Sequence, residues 1–231
     1  MASKVPEHIA IILDGNRRYA RKLGMQPWKG HEFGVKRLEE LVKWCRELGI
    51  RELTLYAFST ENFDRTKTEK DFLFNIFRQE FGNMGCRKDI FENKVRINVI
   101  GRLGMFPKSI RNSMLDIMEK TKKQNKFIVN FAMAYGGRQE IADAFKKIIK
   151  NSKNLKPSQI NENLITKNLY LKNEPDLVIR PGGEVRLSNF LIWQSTYSEL
   201  FFIDKLWPEF TKNDLIKILN EFKKRERRFG K

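Results

Sequence analysis

The chain has 231 residues, 41% of them hydrophobic, which fits a single α/β globular domain with its own core. Lys and Arg number 45 against 28 Asp and Glu, a net charge of +17, so the surface attracts anions. Two cysteines, Cys45 and Cys86, lack metal-ligand spacing and exclude a disulfide framework. No apolar run reaches the ~20 residues that cross a bilayer and the N-terminus carries no signal-peptide core, so the cytoplasm is the expected compartment.

Residues 8–13, His-Ile-Ala-Ile-Ile-Leu, form a short and nearly continuous apolar run, the pattern of a buried parallel strand. The run breaks into Asp14, Gly15, Asn16, Arg17 and Arg18, and a helical stretch follows. A strand, a glycine turn and a helix start bring free N–H groups and a partial positive charge to one spot. Arg17 and Arg18 add full charges. Asp14 would repel a phosphate there unless a divalent cation bridges the two, and magnesium takes one or two carboxylates with phosphate oxygens and water. The same Asp-Gly-Asn also reads as a plain turn.

Residues 34–48 place Val35, Leu38, Leu41, Val42, Cys45 and Leu48 on one helical face, with Gly49 as a stop. Cys45 then belongs to the core. A strand is expected at 53–58, ending before Ser59. A helix at 69–81 carries Phe72, Leu73, Ile76, Phe77 and Phe81. Leu73, Ile76 and Phe77 read either as ordinary core or as the wall of an apolar channel. Residues 82–93 are charged and irregular and read as a loop, either plain surface or a mobile cover over a channel mouth. Further strands are expected at 95–100 and 127–134, and helices at 108–124, 139–150 and 161–168.

The apolar run 177–179 ends abruptly at Arg180; Gly182 and Gly183 follow, then Arg186, Leu187 and Ser188. Two guanidinium groups and a hydroxyl around a Gly-Gly turn suit a polyanion, because guanidinium bonds phosphate oxygens in bidentate fashion and glycine lets backbone N–H groups approach. A surface loop is the plainer reading. Glu199 is a downstream carboxylate able to hold a cation. A short strand near 200–202 precedes a last helix, opened by a Thr211–Asp214 capping box and faced by Leu215, Ile218, Leu219 and Phe222. Strands alternating with helices imply an α/β fold: one domain over residues 1–231, with a central, mostly parallel sheet of about six strands covered by helices. Asp14, Ser59 and Arg180 then share the edge where ligands bind. Two arginine–carboxylate motifs after two apolar strands point to a diphosphate site.

The positive charge has three readings. Lysine-rich solvated helix faces are favoured, because lysines cluster at 120–126, 146–156 and 212–224 on expected helices. Peripheral attraction to anionic lipid at the membrane surface is the second. Nucleic acid is disfavoured, since no binding motif accompanies the charge.

Four segments carry a resemblance to a known family. Residues 8–20, residues 54–63 (Thr-Leu-Tyr-Ala-Phe-Ser-Thr-Glu-Asn-Phe), residues 130–140 (Asn-Phe-Ala-Met-Ala-Tyr-Gly-Gly-Arg-Gln-Glu) and residues 176–210 resemble, in order, the signatures of the cis-prenyltransferases, the undecaprenyl diphosphate synthase family. The resemblance implies a magnesium-dependent homodimer. It would condense isopentenyl diphosphate in cis onto an allylic diphosphate, farnesyl or geranylgeranyl, to make a long polyprenyl diphosphate for a glycosyl carrier lipid.

It implies that Gly15, Asn16, Arg17 and Arg18 cradle the allylic diphosphate beside Tyr19 and His31, with Asp14 on the metal. It assigns positioning and proton transfer to Ser59 and Asn62, with Thr60, Glu61 and Phe63 in the same motif and Arg65 in binding. Arg180, Arg186, Leu187 and Ser188 match the isopentenyl diphosphate site. Glu199 matches a metal-associated carboxylate reaching the neighbouring subunit, and Arg228 and Gly230 a dimer-crossing terminus. Leu73, Ile76 and Phe77 would line the hydrocarbon tunnel.

Pro27, Phe63, Pro181, Val185 and Arg17 depart from common residues of the family, which bears on substrate preference; a geranylgeranyl primer fits an archaeal-type member. A trans-prenyltransferase is disfavoured by the lack of any Asp-Asp pair, and a P-loop kinase by the lack of its motif. A non-catalytic subunit of a heteromeric prenyltransferase remains an alternative, although such partners typically lose the Asp-Gly-Asn that is present here.

Overall fold

The computed structural model describes residues 5–151 and 155–225. Six strands form one parallel sheet: β1 (His8–Ile12), β2 (Glu52–Ser59), β3 (Val95–Ile100), β4 (Phe127–Tyr135), β5 (Leu177–Pro181) and β6 (Glu199–Ile203). Their order is β3-β4-β2-β1-β5-β6. The path runs outward from β1 through β2 and then reverses to β5 on β1's other side, pairing Ile11 with Leu55 and with Ile179. A reversal of this kind opens a crevice at the strand C-termini.

Alternation along β1 shows why both faces are covered. Ile9 and Ile11 join the large core that includes Leu41, Leu73, Ile110 and Leu215, while Ala10 and Ile12 join Tyr56, Ala132, Val178 and Phe190 on the other face. The first face is packed by α2 (Gly30–Glu47), α3 (Lys67–Met84), α5 (Lys108–Thr121) and α8 (Lys212–Lys224). The short α1 (Asn16–Lys22) follows β1; α6 (Gly137–Asn151) and α7 (Glu162–Asn168) build a satellite core around Ala144, Ile148 and Ile165.

On α3, Leu73, Phe77, Phe81 and Met84 are buried, at spacings of four, four and three residues that stack on one face. The capping box opening α8 is present, with Thr211 N–H donating to Asp214 at 2.9 Å. Cys45 is fully buried, as its helical phase requires, and Cys86 is exposed; both are free thiols.

Residues 82–93 differ from the expected loop. Helix α3 runs on to Met84, and α4 (Lys88–Glu92) follows after three residues. Ile90, 7% exposed, anchors α4 in the core with Phe91 packed beside it, and two apolar residues in a charged, short segment are too few to show a period. Helix α2 also begins at Gly30, four residues early, because Gly30 and Gly34 let it press against Asn16. A Cβ on Gly34 would sit 2.4 Å from Asn16 Oδ1. Among the described residues no helix is long and apolar enough to cross a membrane.

Candidate active site

The C-terminal ends of β1, β2 and β5 meet at one end of a cavity of about 680 Å³. Asp14 lies two residues past β1. Its Oδ2 accepts from Arg180 Nη2 at 2.9 Å, and its Oδ1 is 3.2 Å from Arg18 Nη2. Arg18 also donates to the Gly182 carbonyl at 2.6 Å. Arg180 is 4% exposed and donates to Ser188 Oγ at 2.8 Å and to the Arg186 carbonyl. A guanidinium this buried needs an anion, and Asp14 supplies it. The two arginine–carboxylate motifs, 166 residues apart, are thus one ion-paired cluster across the β1–β5 edge.

Between them Gly15 has φ of 107°, a region closed to side chains, and a Cβ there would lie 2.9 Å from Leu206 Cβ. Arg180 Nε and Asn16 Oδ1 are buried without a hydrogen-bond partner. Bonding capacity is therefore left where the arginines converge.

Ser59 ends β2 and its N–H donates to Asn62 Oδ1 at 3.0 Å, folding residues 60–64 into a tight turn. Behind this turn two arginines and His31 surround Glu69, which is 3% exposed. Arg65 Nη1 lies 3.0 Å, His31 Nε2 3.4 Å and Arg17 Nε 3.7 Å from its Oε1. The His31 contact, with Arg65 and Arg17, outweighs burial and holds the Glu69 carboxyl below its usual range. Burial depresses His31, against the pull of Glu69, so the imidazole is neutral near pH 7. Burial would raise Glu61, but hydrogen bonds from its own backbone and from Ser59, Thr60 and Asn189 prevail and keep it ionised.

Asp14, Asn16, His31, Ser59, Glu61, Asn62, Arg65, Arg180, Arg186 and Ser188 line the cavity's polar end, and Leu73, Ile76 and Phe77 its apolar wall. Gly15, Arg17, Arg18, Tyr19 and Thr60 sit beside or behind that lining. Two residues of the expected site pack elsewhere. Phe63 meets Phe58 edge-on at 5.0 Å and Phe106 at 5.5 Å, inside an aromatic cluster. Leu187 packs on the smaller core.

Glu199 begins β6, pairs in register with Leu177, and accepts from Arg225 Nη1 at 2.7 Å. That is the opposite end of the sheet from Asp14, since Leu177 lies beside Ile9. Among the described residues no three His, Cys, Asp or Glu side chains cluster as a metal cage. Arg228 and Gly230 lie outside the described residues.

Three contributors escaped the sequence reading. Glu69 carries a usable signal, being four residues after Arg65 and bonded through its N–H to the helix-capping Thr66 at 3.4 Å. Tyr56 lines the cavity, stacks on Phe190 at 4.5 Å and donates to the Ser188 carbonyl at 3.4 Å. Asn189 pins the 186–191 loop to α6, its side chain accepting from Arg138 N–H at 2.9 Å and donating to Gln139 at 3.0 Å. Ser188 and Asn189 have φ of 48° and 66°, a strained conformation such pinning sustains. Tyr56 and Asn189 stand inside the quoted segments 54–63 and 176–210, but neither carries a charge or spacing that singles it out.

A family profile for putative undecaprenyl diphosphate synthases matches residues 12–230. The chain belongs to the undecaprenyl diphosphate synthase family. It is 53% identical over 231 residues, covering 98% of this chain and 88% of the relative, to the tritrans,polycis-undecaprenyl-diphosphate synthase (geranylgeranyl-diphosphate specific) of Pyrococcus horikoshii. Among solved structures, lavandulyl diphosphate synthase of Lavandula x intermedia, in complex with dimethylallyl diphosphate, superposes with a TM-score of 0.92 at 33% identity, covering 98% of this chain and 99% of the other. A probable undecaprenyl diphosphate synthase of Campylobacter jejuni gives 0.82 at 37% identity, covering 99% and 100%. The expected fold class and family are thereby established, as is the reading of the chain as an enzyme of the cis-prenyltransferase type.

Proposed function

We propose that the chain condenses isopentenyl diphosphate in cis onto an allylic diphosphate to make a long polyprenyl diphosphate. One observation carries the reading: the Asp14–Arg180 cluster opens directly into an apolar cavity walled by Leu73, Ile76 and Phe77. An anion-binding head joined to a hydrocarbon-sized cavity is what both substrates and the product require. The Pyrococcus relative is geranylgeranyl-diphosphate specific, which favours that primer here.

In the condensation the allylic C–O bond breaks and diphosphate leaves, the isopentenyl double bond supplies the electrons of the new C–C bond, and one proton departs. The Gly15 turn with Arg17 and Arg18 would hold the allylic diphosphate. Arg186, Ser188 and the unpaired Nε of Arg180 would hold isopentenyl diphosphate, 1.5–3 kcal/mol being the rough value of each charge-assisted contact. Asn62 and Ser59 stand at the cavity edge, where a proton must be relayed.

Magnesium suits this donor set: Asp14 is a half-buried carboxylate flanked by phosphate-binding arginines, and the ion takes one carboxylate with phosphate oxygens and water. When bound it would neutralise charge on the leaving diphosphate. Glu199 lies at the other end of the sheet, so a metal role for it requires a second copy of the chain, as in a homodimer. Association of the basic surface with the cytoplasmic face of a membrane is part of the same proposal.

The test is incubation with isopentenyl diphosphate, magnesium and each allylic primer in turn, with mass analysis of the products. The expected result is a ladder of polyprenyl diphosphates, longest from geranylgeranyl diphosphate. No product from any primer overturns the reading, and with it the preference for catalysis over a non-catalytic partner subunit.

A further inference from the structure

The loop that carries Arg186 and Ser188 is bent against its own backbone preference. Ser188, Asn189 and Leu191 have φ of 48°, 66° and 43°, left-handed values that residues other than glycine rarely adopt and asparagine adopts most readily. Such a run persists only where its surroundings hold it. Two holds come from the sheet side. Arg180 Nη1 donates to Ser188 Oγ at 2.8 Å and to the Arg186 carbonyl, and the buried Phe190 stacks on Tyr56 at 4.5 Å.

The third hold is the start of α6. The first N–H groups of a helix have no partner within it. In α6 the cap position is Gly136, whose carbonyl accepts from Glu140 N–H at 2.8 Å but which has no side chain to satisfy the others. Asn189 supplies that cap from the loop. Its carbonyl accepts from Gly137 N–H at 2.7 Å, and its Oδ1 accepts from Arg138 N–H at 2.9 Å. Its Nδ2 donates to Gln139 Oε1 at 3.0 Å and to Glu61 Oε1 at 3.4 Å, the latter in the turn that follows Ser59. One side chain thus joins the Ser188 loop, the start of α6 and the turn of Asn62.

The glycine at 136 belongs to the same device. Its φ lies outside the left-handed region, so alanine could adopt it, but a Cβ would lie 2.2 Å from Gln139 Oε1 and 2.6 Å from Asn189 Nδ2. A serine or aspartate there, the usual local cap, would expel the distant one. A local cap would serve the helix equally well. Only the distant cap also fixes the loop.

We propose that Asn189 is a positioning residue for isopentenyl diphosphate, holding Ser188 and Arg186 against Arg180 by capping α6 from the loop. The inference deepens the condensation reading and rests on its assignment of Arg186 and Ser188 to that substrate. Asn189 acts without touching the substrate. Loss of the cap frees residues 186–189 to relax toward ordinary backbone, which carries the Ser188 hydroxyl away from Arg180. The allylic side, built on residues 15–18, is left in place.

The experiment measures kcat, and KM for each substrate, on the full chain with magnesium, isopentenyl diphosphate and geranylgeranyl diphosphate, with melting temperature read alongside. Asn189→Ala is expected to raise KM for isopentenyl diphosphate roughly tenfold and to leave KM for the primer within about twofold. Gly136→Ala, on a different element, is expected to show the same split, because its methyl group displaces the Asn189 amide. It stands as an independent test should Asn189→Ala fail to fold. The double variant is expected to match the more affected single one. Effects that multiply in the double variant, to about a hundredfold, overturn the shared cap as their cause. Equal rises in both KM values, or a lower melting temperature with neither KM changed, overturn the positioning role alone. An unaltered chain that makes no product overturns the condensation reading and the positioning role together.

Discussion

The two edges of the sheet bury polar groups in opposite ways. At the N-terminal edge, Glu52 accepts from Asn130 and from Asn173, each at 2.7 Å. Thr54 accepts from Asn130 at 3.0 Å and meets His8 at 2.7 Å, and Asn98 donates to Asn130 at 2.8 Å. These residues largely spend their hydrogen bonds on one another. At the C-terminal edge, Arg180 and Asn16 keep buried atoms without partners, as His8 Nδ1 does at the other edge, Gly15 and Ser188 adopt left-handed backbone, and two arginines and His31 crowd Glu69. A closed network stabilises the fold, whereas an open one costs stability and leaves bonding capacity for a ligand. The same strands thus carry structure at one end and chemistry at the other.

The strongest way to break this comparison is Asp14→Ala. The carboxylate is proposed to position a metal, so turnover should fall about a thousandfold, equivalent to ~4 kcal/mol of transition-state stabilisation. Diphosphate binding should largely survive, as measured by calorimetry. Activity within about tenfold of the parent would remove Asp14 from its role.

At the opposite edge, Glu52→Ala should reverse the pattern. It strands the Asn130 and Asn173 amides at a cost of about 1–3 kcal/mol each. At roughly 2–4 °C per kcal/mol for a chain of this size, the melting temperature should drop by several degrees. The kcat and KM for both substrates should stay within twofold. A variant that melts normally but loses activity would erase the distinction between the edges.

A finer cut lies within the active edge. Arg186 is 60% exposed at its side chain and paired only locally, with Glu184 at 2.5 Å, whereas Arg180 ties together Asp14, Ser188 and the loop backbone. Arg186→Ala should therefore raise KM for isopentenyl diphosphate by roughly 10–100-fold, the equivalent of ~1.5–3 kcal/mol, and leave KM for the primer unchanged. Equal effects on both substrates would mean that the two subsites are one.

Particular residues show how much was legible in advance. The strands stood out because a buried parallel strand is nearly all apolar: residues 8–13 and 177–179 announced β1 and β5. Asp14 and Arg180 were legible because each ends such a run, where a charge has no structural purpose. Residues 82–93 were not, since α4 is held by only two adjacent apolar residues, Ile90 and Phe91. Phe63 read as part of the site from its motif, yet its ring turns into the Phe58–Phe106 cluster, which only packing determines.

The sequence by itself determined the alternation of strands and helices, the anion-seeking motifs and the resemblance that they carry, because periodicity and local chemistry are written in neighbouring residues. Only the tertiary structure decided that Asp14 and Arg180 share an ion pair, that Glu69 gathers His31, Arg65 and Arg17, and that Asn189 caps α6. These contacts join residues up to 166 positions apart. Their distances follow from strand order and helix packing, which no local pattern encodes.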